Sequence, residues 1–228
     1  MKKTMIKAIR LALCLVILAG MAVSSNAASW DSIKIGRLKY NGGGDWYVSP
    51  TSIPNLLKQV EKRFDMPVQA EHIGVSINDP ELFRYPMIYA SGHGQIRFKD
   101  FEMNTLLTYL DNGGFLLIND SYGMEKYVRR EIKRLFPDRE FQLLPKDHPI
   151  FHMVYDFPEG LPKIHEHDDK PPAAYAVFDK GRMKVLYLLE SDIGDGLEDA
   201  GIHKVDTPEI REKAMKMAIN ILMYAMMQ

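Results

Sequence analysis

The chain has 228 residues, 26% charged and 46% hydrophobic, with 29 basic and 30 acidic side chains and a single cysteine. Without the first 27 residues, 25 basic side chains face 30 acidic ones, a net charge of −5, and no cysteine remains. Such a chain can fill the core of one domain. It is too acidic for general nucleic-acid or anionic-lipid binding, and it has no thiol for disulfides, thiolate metal sites or nucleophilic catalysis.

The N-terminus reads MKKTMIKAIR, then the apolar run LALCLVILAGMAV, then SSNAAS. This basic, apolar, small-residue order is that of a secretory signal peptide. The run from Leu11 to Val23 is 13 residues, short of the roughly 20 that a bilayer span needs. Cys14 lies inside the run and not at its end, unlike the lipidated cysteine of a lipoprotein signal. The expectation is a signal peptide over residues 1–27 and a single domain over 28–228, periplasmic or secreted, with no stable membrane span after cleavage. Retention of the segment as an anchor is the alternative.

In chain order, Ile33 to Tyr40 predicts a strand, and Ser49 followed by Pro50 predicts a capped helix start. Leu56, Leu57, Val60 and Phe64 give that helix an apolar face. A short strand is expected near Val68 to Ile73, and another over Met87 to Ala90, closed by SGHG. Met103, Leu106, Leu107 and Leu110 mark a helix ending at Asn112 and Gly113. The run FLLIND, Phe115 to Asp120, is continuously apolar until its end, as in a strand covered on both faces. A helix from Met124 to Leu135 stops at Pro137. The Pro-, His- and Asp-rich excursion from Leu144 to Pro172 follows, a long loop of the kind that often carries function. AYAVFD and MKVLYLLES then flank Lys180 and Gly181 as a hairpin, and a helix starting at Thr207 closes the chain; its methionines are expected to fill core gaps.

Strands alternating with helices predict an α/β fold, a three-layer sandwich around a largely parallel sheet. Ligands of such sheets bind beyond the carboxyl ends of the strands. That rule selects Gly42 to Trp46 after the first strand, His93 after the third, Asp120 and Ser121 after the fourth, and Asp192 with Asp195 after the last.

The three glycines of NGGGDW are followed by Asp45 and lack the Lys-Ser or Lys-Thr of a phosphate loop, so a phosphate cradle is disfavoured. They read instead as a sharp turn, with or without a further purpose: presenting Asp45 and Trp46 at a cleft rim, the indole as a stacking surface. In ASGHGQ, His93 reads equally as a general base or metal ligand at a strand end and as a residue that holds its own loop. Ser121 has the topological place of a nucleophile, but INDSYGM lacks the G-x-S-x-G elbow, and helix capping by Asp120 or Ser121 is the simpler reading. His148, His152, His165 and His167, with Asp147, Asp168 and Asp169, lack the spacing of a zinc motif and read as a solvated polar loop. DIGDGLED departs from the calcium-loop order. No metal site and no cofactor are expected. Candidate ligand-binding residues are Gly43, Gly44, Asp45, Trp46, His93, Asp120, Asp192 and Asp195, and candidate catalytic residues are His93, Asp120 and Ser121.

Taken together, RLKYNGGGDWYVSPTSIPNLL, YPMIYASGHG, LDNGGFLLIND, DHPIF and SDIGDG resemble the bacterial domain-of-unknown-function family 4159 over nearly the whole chain after residue 27. That resemblance implies a class I glutamine amidotransferase-like fold, a flavodoxin-like sandwich. It implies no activity: Asn119, Asp120 and Ser121 stand where active amidotransferases place the cysteine, and no His-Pro-Glu follows near the last strand. The expected role is an exported envelope binding or accessory domain, with a sugar or envelope ligand or an envelope protein as partner. The alternative is a hydrolase on a sugar or envelope component using a His/Asp or metal-assisted site.

Overall fold

Seven strands form one sheet in the computed structural model, which describes residues 32–228 apart from His72 and Glu166. They are β1 (Ile35–Lys39), β2 (Gly74–Ser76), β3 (Met87–His93), β4 (Phe115–Tyr122), β5 (Gln142–Leu143), β6 (Ala173–Asp179) and β7 (Arg182–Leu189). The spatial order is β2-β1-β3-β4-β7-β6-β5. Strands β2, β1, β3, β4 and β7 run parallel, and β6 and β5 add an antiparallel edge. Counted along the parallel strands, the order is 2-1-3-4-5, a doubly wound arrangement that changes direction between β1 and β3.

The helices are α1 (Ser52–Phe64), α2 (Asp100–Asp111), α3 (Glu125–Leu135), the short α4 (Ile193–Gly196) and α5 (Pro208–Met227). Alternate residues of each central strand supply two separate cores. Ile35, Met87, Phe115, Leu117, Leu186 and Leu188 pack with α1 and α5. Leu38, Ile88, Ala90, Leu116, Ile118 and Val185 pack with α2 and α3 on the other face. Continuous apolar strands therefore follow from burial on both sides. No helix among the described residues is long and apolar enough to cross a membrane, and the expected signal segment lies outside the described residues.

Several local expectations change. Ser49 does not cap α1: its backbone is left-handed at φ 54° and its hydroxyl donates to Asp195 Oδ1 at 2.9 Å, so the helix begins three residues later. The strand expected at 68–73 forms at Gly74–Ser76, while Val68 makes only an isolated bridge to Ile33. α4 and β5 were not anticipated. Thr207 does cap α5, accepting from the Ile210 amide at 3.3 Å. Lys180 and Gly181, both at positive φ, close the expected hairpin with the geometry that suits tight antiparallel turns.

Two tethers fix the loops that carry the strand-end groups. Arg37, fully buried on β1, donates to the carbonyls of Val48 and Ser49 at 2.6 and 2.8 Å and to Ser52 Oγ at 3.0 Å, pinning the segment between β1 and α1. Asn220 on α5 accepts from the amides of Val154 and Tyr155 at 3.0 and 2.9 Å and donates to the Tyr155 carbonyl at 2.7 Å. The excursion from Leu144 to Pro172 is thereby anchored from the final helix.

Candidate functional site

At the winding reversal, the glycine turn lies against the segment that follows β3. The Gly44 amide donates to the Gln95 carbonyl at 3.0 Å, and a Cβ on Gly44 would sit 2.8 and 2.9 Å from the carbonyl oxygens of Gln95 and His93. This close approach requires glycine. It delivers Asp45 to His93: Asp45 Oδ1 accepts from the His93 amide at 2.5 Å, and Oδ2 accepts from the ring Nδ1 at 2.9 Å. Partial burial pushes the Asp45 carboxyl up, but the His93 amide and ring outweigh it and hold the group below the usual carboxylate range. Asp45 thus fixes the loop, in line with the structural reading of His93, and also orients the imidazole.

Behind this pair runs a buried polar seam across the ends of β3, β4 and β7. Asn119 donates to Ser91 Oγ at 3.2 Å and to Asp192 Oδ1 at 3.0 Å, and the hydroxyls of Ser91 and Ser121 lie 3.1 Å apart. Ser121 is the extra residue of a bulge between β3 and β4, and it is fully buried. Among the described residues its hydroxyl has no histidine partner, so none of them is placed as its base for nucleophilic attack. Asp120 accepts from Tyr187 Oη at 2.5 Å and from the Met124 amide at 3.0 Å, holding the turn into α3. Burial raises its carboxyl above the ordinary value, and the two hydrogen bonds oppose the rise.

The His- and Asp-rich excursion divides into two parts. His152 pairs with Asp156 and contacts the Lys146 carbonyl, and His148 packs against Phe178 and Tyr224. His165 and His167 instead turn inward to the carboxylates around α4. His167 Nε2 lies 3.3 Å from Asp192 Oδ2, and His165 Nδ1 lies 3.3 Å from Asp195 Oδ2. His203, from the turn between α4 and α5, places Nδ1 3.5 Å from the same Asp195 oxygen. These rings are about one-fifth exposed, so His165 and His167 pack against protein where a solvated loop was expected, while Asp168, Asp169 and Lys170 beside them are exposed as that reading has it. Burial pushes the Asp192 carboxyl up, against hydrogen bonds from His167 and Asn119, and the hydrogen bond to Asp192 raises His167. DIGDGLED is a helical turn rather than an open loop, with Asp192, Asp195 and Glu198 facing inward.

A cavity of about 310 Å³ opens beside this cluster, over the carboxyl ends of β4 and β7. Tyr122, nearly half exposed, forms one wall with its ring 5.1 Å from that of His167. Glu125, Lys126, Asp168, Lys170 and Glu190 supply charge of both signs, and Asp120 and Ser121 form the inner end. Asp45, Trp46 and His93 do not line this cavity; Trp46 covers Gly74, with Lys39 Nζ over its ring at 5.6 Å. Gly43 is exposed with open space around it. A wider groove of about 420 Å³ between α1 and the start of α5 has its central charges, Arg63 and Glu212, bound to each other.

A family model described as domain of unknown function (DUF4159) matches residues 34–226. The chain belongs to this family. The DUF4159 match spans every strand of the sheet, from β1 through β7, and so covers all the site residues described above. No curated protein matches the sequence.

Sequence reasoning missed Tyr122, Lys170, Glu190, His203 and the supporting Ser91, Asn119 and Tyr187. A signal was present for two of them: Ser91 and Asn119 interrupt otherwise apolar strands, and a polar residue in a doubly covered strand must have a buried partner. His203 stands alone in GIHKVD and carried no spacing information.

Proposed function

We propose that this chain is an exported cell-envelope binding or accessory domain of class I glutamine amidotransferase-like fold, and that its ligand is a sugar or sugar-containing envelope component held in the Tyr122 cavity. The observation that carries this reading is the lining of that cavity. An exposed aromatic face stacks the apolar C–H face of a sugar ring, and carboxylates and ammonium groups around it take up hydroxyls from several directions. The doubly wound strand order and the turn from β4 into α3 support the fold assignment. With Asn119, Asp120 and Ser121 at that turn, thiol-dependent glutamine hydrolysis is no part of the proposal.

A thermal-shift screen with soluble sugars and peptidoglycan fragments tests it. A ligand at one hundred times its Kd adds about 2.7 kcal/mol to stability and raises the melting temperature. A screen flat for every saccharide would sink the sugar reading and leave a protein partner, sought by pull-down from envelope extracts.

The Asp45–His93 pair favours a second reading, a hydrolase acting on a sugar or envelope component. Asp45 takes Nδ1, which leaves Nε2 outside the pair and suited to a general base. Hydrolase screening would have to find an activity lost in His93→Ala for that reading to stand.

A further inference from the structure

Three carboxylates, Asp192, Asp195 and Glu198, are buried together beside α4, each less than a tenth exposed. Buried charges require a paired charge, a metal or complete hydrogen bonding. The nearby buried cation, Arg37, directs its two terminal nitrogens to the Val48 and Ser49 carbonyls and to Ser52 Oγ; its Nε has no partner among the described residues, and it acts on Glu198 through charge alone, with no hydrogen bond to these acids. Asp192 is satisfied by Asn119 and His167, and Glu198 accepts from the Thr51 amide and hydroxyl at 3.0 and 2.8 Å. Asp195 differs. Its Oδ1 accepts from Ser49, while its Oδ2 faces two imidazole nitrogens.

Those imidazoles are not arranged as hydrogen-bond partners. His165 Nδ1 is buried and makes no hydrogen bond, although Asp195 Oδ2 is 3.3 Å away. On His203 the atom that faces Asp195 is Nδ1, while Nε2, buried without a hydrogen bond, lies on the Glu198 side at 3.8 Å from Oε2. A ring nitrogen orphaned next to a carboxylate, as His165 Nδ1 is, is costly unless something occupies the space its lone pair addresses. A tetrahedral zinc ion with ligand bonds of about 2.0–2.1 Å separates its ligand atoms by about 3.3 Å. Asp195 Oδ2 lies 3.3 and 3.5 Å from the two Nδ1 atoms, and one donor atom from each of the three residues falls within a mutual 4.8 Å.

We propose that His165, Asp195 and His203 bind one divalent transition-metal ion of the zinc class. Two imidazoles and one carboxylate suit zinc and its first-row neighbours better than calcium or magnesium, which prefer all-oxygen shells. Ser49 would orient the ligating carboxylate from behind through Oδ1, a support that such ligands generally carry. Three protein ligands leave a coordination position for water or a ligand atom, the pattern of a reactive rather than a purely structural site. His167, held by Asp192, stands between His165 and the Tyr122 cavity, its ring 5.2 Å from that of His165. The site does not depend on the sugar reading and departs from the expectation of a metal-free polar loop.

The test is titration of the chelator-stripped full chain with Co²⁺, read by visible absorption, and with Zn²⁺ in competition with a chromophoric chelator. The expected result is one equivalent bound. Affinity should fall at least tenfold in His203→Ala and in His165→Ala, and remain unchanged in His152→Ala, whose ring lies with Asp156 outside the cluster. Circular dichroism checks that each variant is folded. His203 occupies a surface turn, so His203→Ala remains informative even where His165→Ala fails to fold. Absence of one-to-one binding by the parent chain would overturn the proposal. So would His203→Ala affinity equal to that of the parent, or an equal loss in the His152→Ala control.

Discussion

Asp45 holds His93 twice, through its backbone amide and through its ring nitrogen, across the point where the sheet reverses its winding. The two residues are 48 positions apart in sequence, and the glycine turn makes the contact by bringing its own backbone against Gln95 and His93. Removing the carboxylate in Asp45→Ala should cost about 1–2 kcal/mol of folding stability at pH 7. The folded-state pKa of Asp45 is depressed, so its contribution is present above the unfolded value of about 3.9 and is lost as pH falls through the lower folded value. Urea denaturation of parent and variant should therefore differ at pH 7 and converge toward pH 3. A gap unchanged at pH 3 would show that the charge is not what Asp45 contributes.

Asp120 has the opposite sign. Burial raises its pKa, so the folded chain binds this proton more tightly than the unfolded chain. Its ionisation removes stability as pH rises from about 3.9 to the folded value. Asp120→Asn should flatten that part of the stability profile while keeping an acceptor for the Met124 amide. Tyr187→Phe removes the donor to Asp120 Oδ2 and should cost about 1–3 kcal/mol at neutral pH, because the buried carboxylate then lacks its shortest hydrogen bond. Equal pH profiles for parent and Asp120→Asn would contradict the assignment.

Asn220 tests how the histidine-bearing excursion is held. Asn220→Ala leaves two amides and a carbonyl near Val154 and Tyr155 without partners, at a cost of about 2–3 kcal/mol. Limited proteolysis should cut faster within residues 144–172 than in the parent. An unchanged cleavage rate would mean that other contacts suffice to anchor the segment.

Gly196 sits where α4, α5 and the excursion meet. A Cβ there would lie 2.6 Å from Ala214 Cβ and 2.7 Å from Ile164 Cγ2. Gly196→Ala should destabilise the fold by about 1–3 kcal/mol through overpacking. Because Ile164 precedes His165 and Gly196 follows Asp195, it should also weaken Co²⁺ binding. A variant as stable as the parent would show that the helices separate at little cost.

The architecture was legible because burial on both sheet faces leaves continuous apolar strands such as FLLIND, and because glycine, proline and capping residues punctuate the helices. The strand-end rule also brought out Asp45, His93, Asp120, Asp192 and Asp195 correctly as residues at the carboxyl edge. Their partners were not legible. His165, Asp195 and His203 come from separate loops and share no spacing that a motif could record, and Tyr122 enters the cavity through a β-bulge. The start of α1 was misread for a related reason: the Ser49 hydroxyl is taken by Asp195, 146 positions away, and that tertiary bond overrides its local capping preference.

The central claim is that a saccharide occupies the Tyr122 cavity. The most direct measurement is isothermal titration of a soluble peptidoglycan disaccharide-peptide into the parent chain, Tyr122→Ala and Arg139→Ala. Arg139 pairs with Asp179, at the opposite end of β6 from the cavity, and serves as a control. Saturable binding by the parent and the Arg139 variant, weakened at least tenfold in Tyr122→Ala as loss of a stacking aromatic entails, is the predicted result. Binding unaffected by Tyr122→Ala, or no binding by the parent chain, would contradict it.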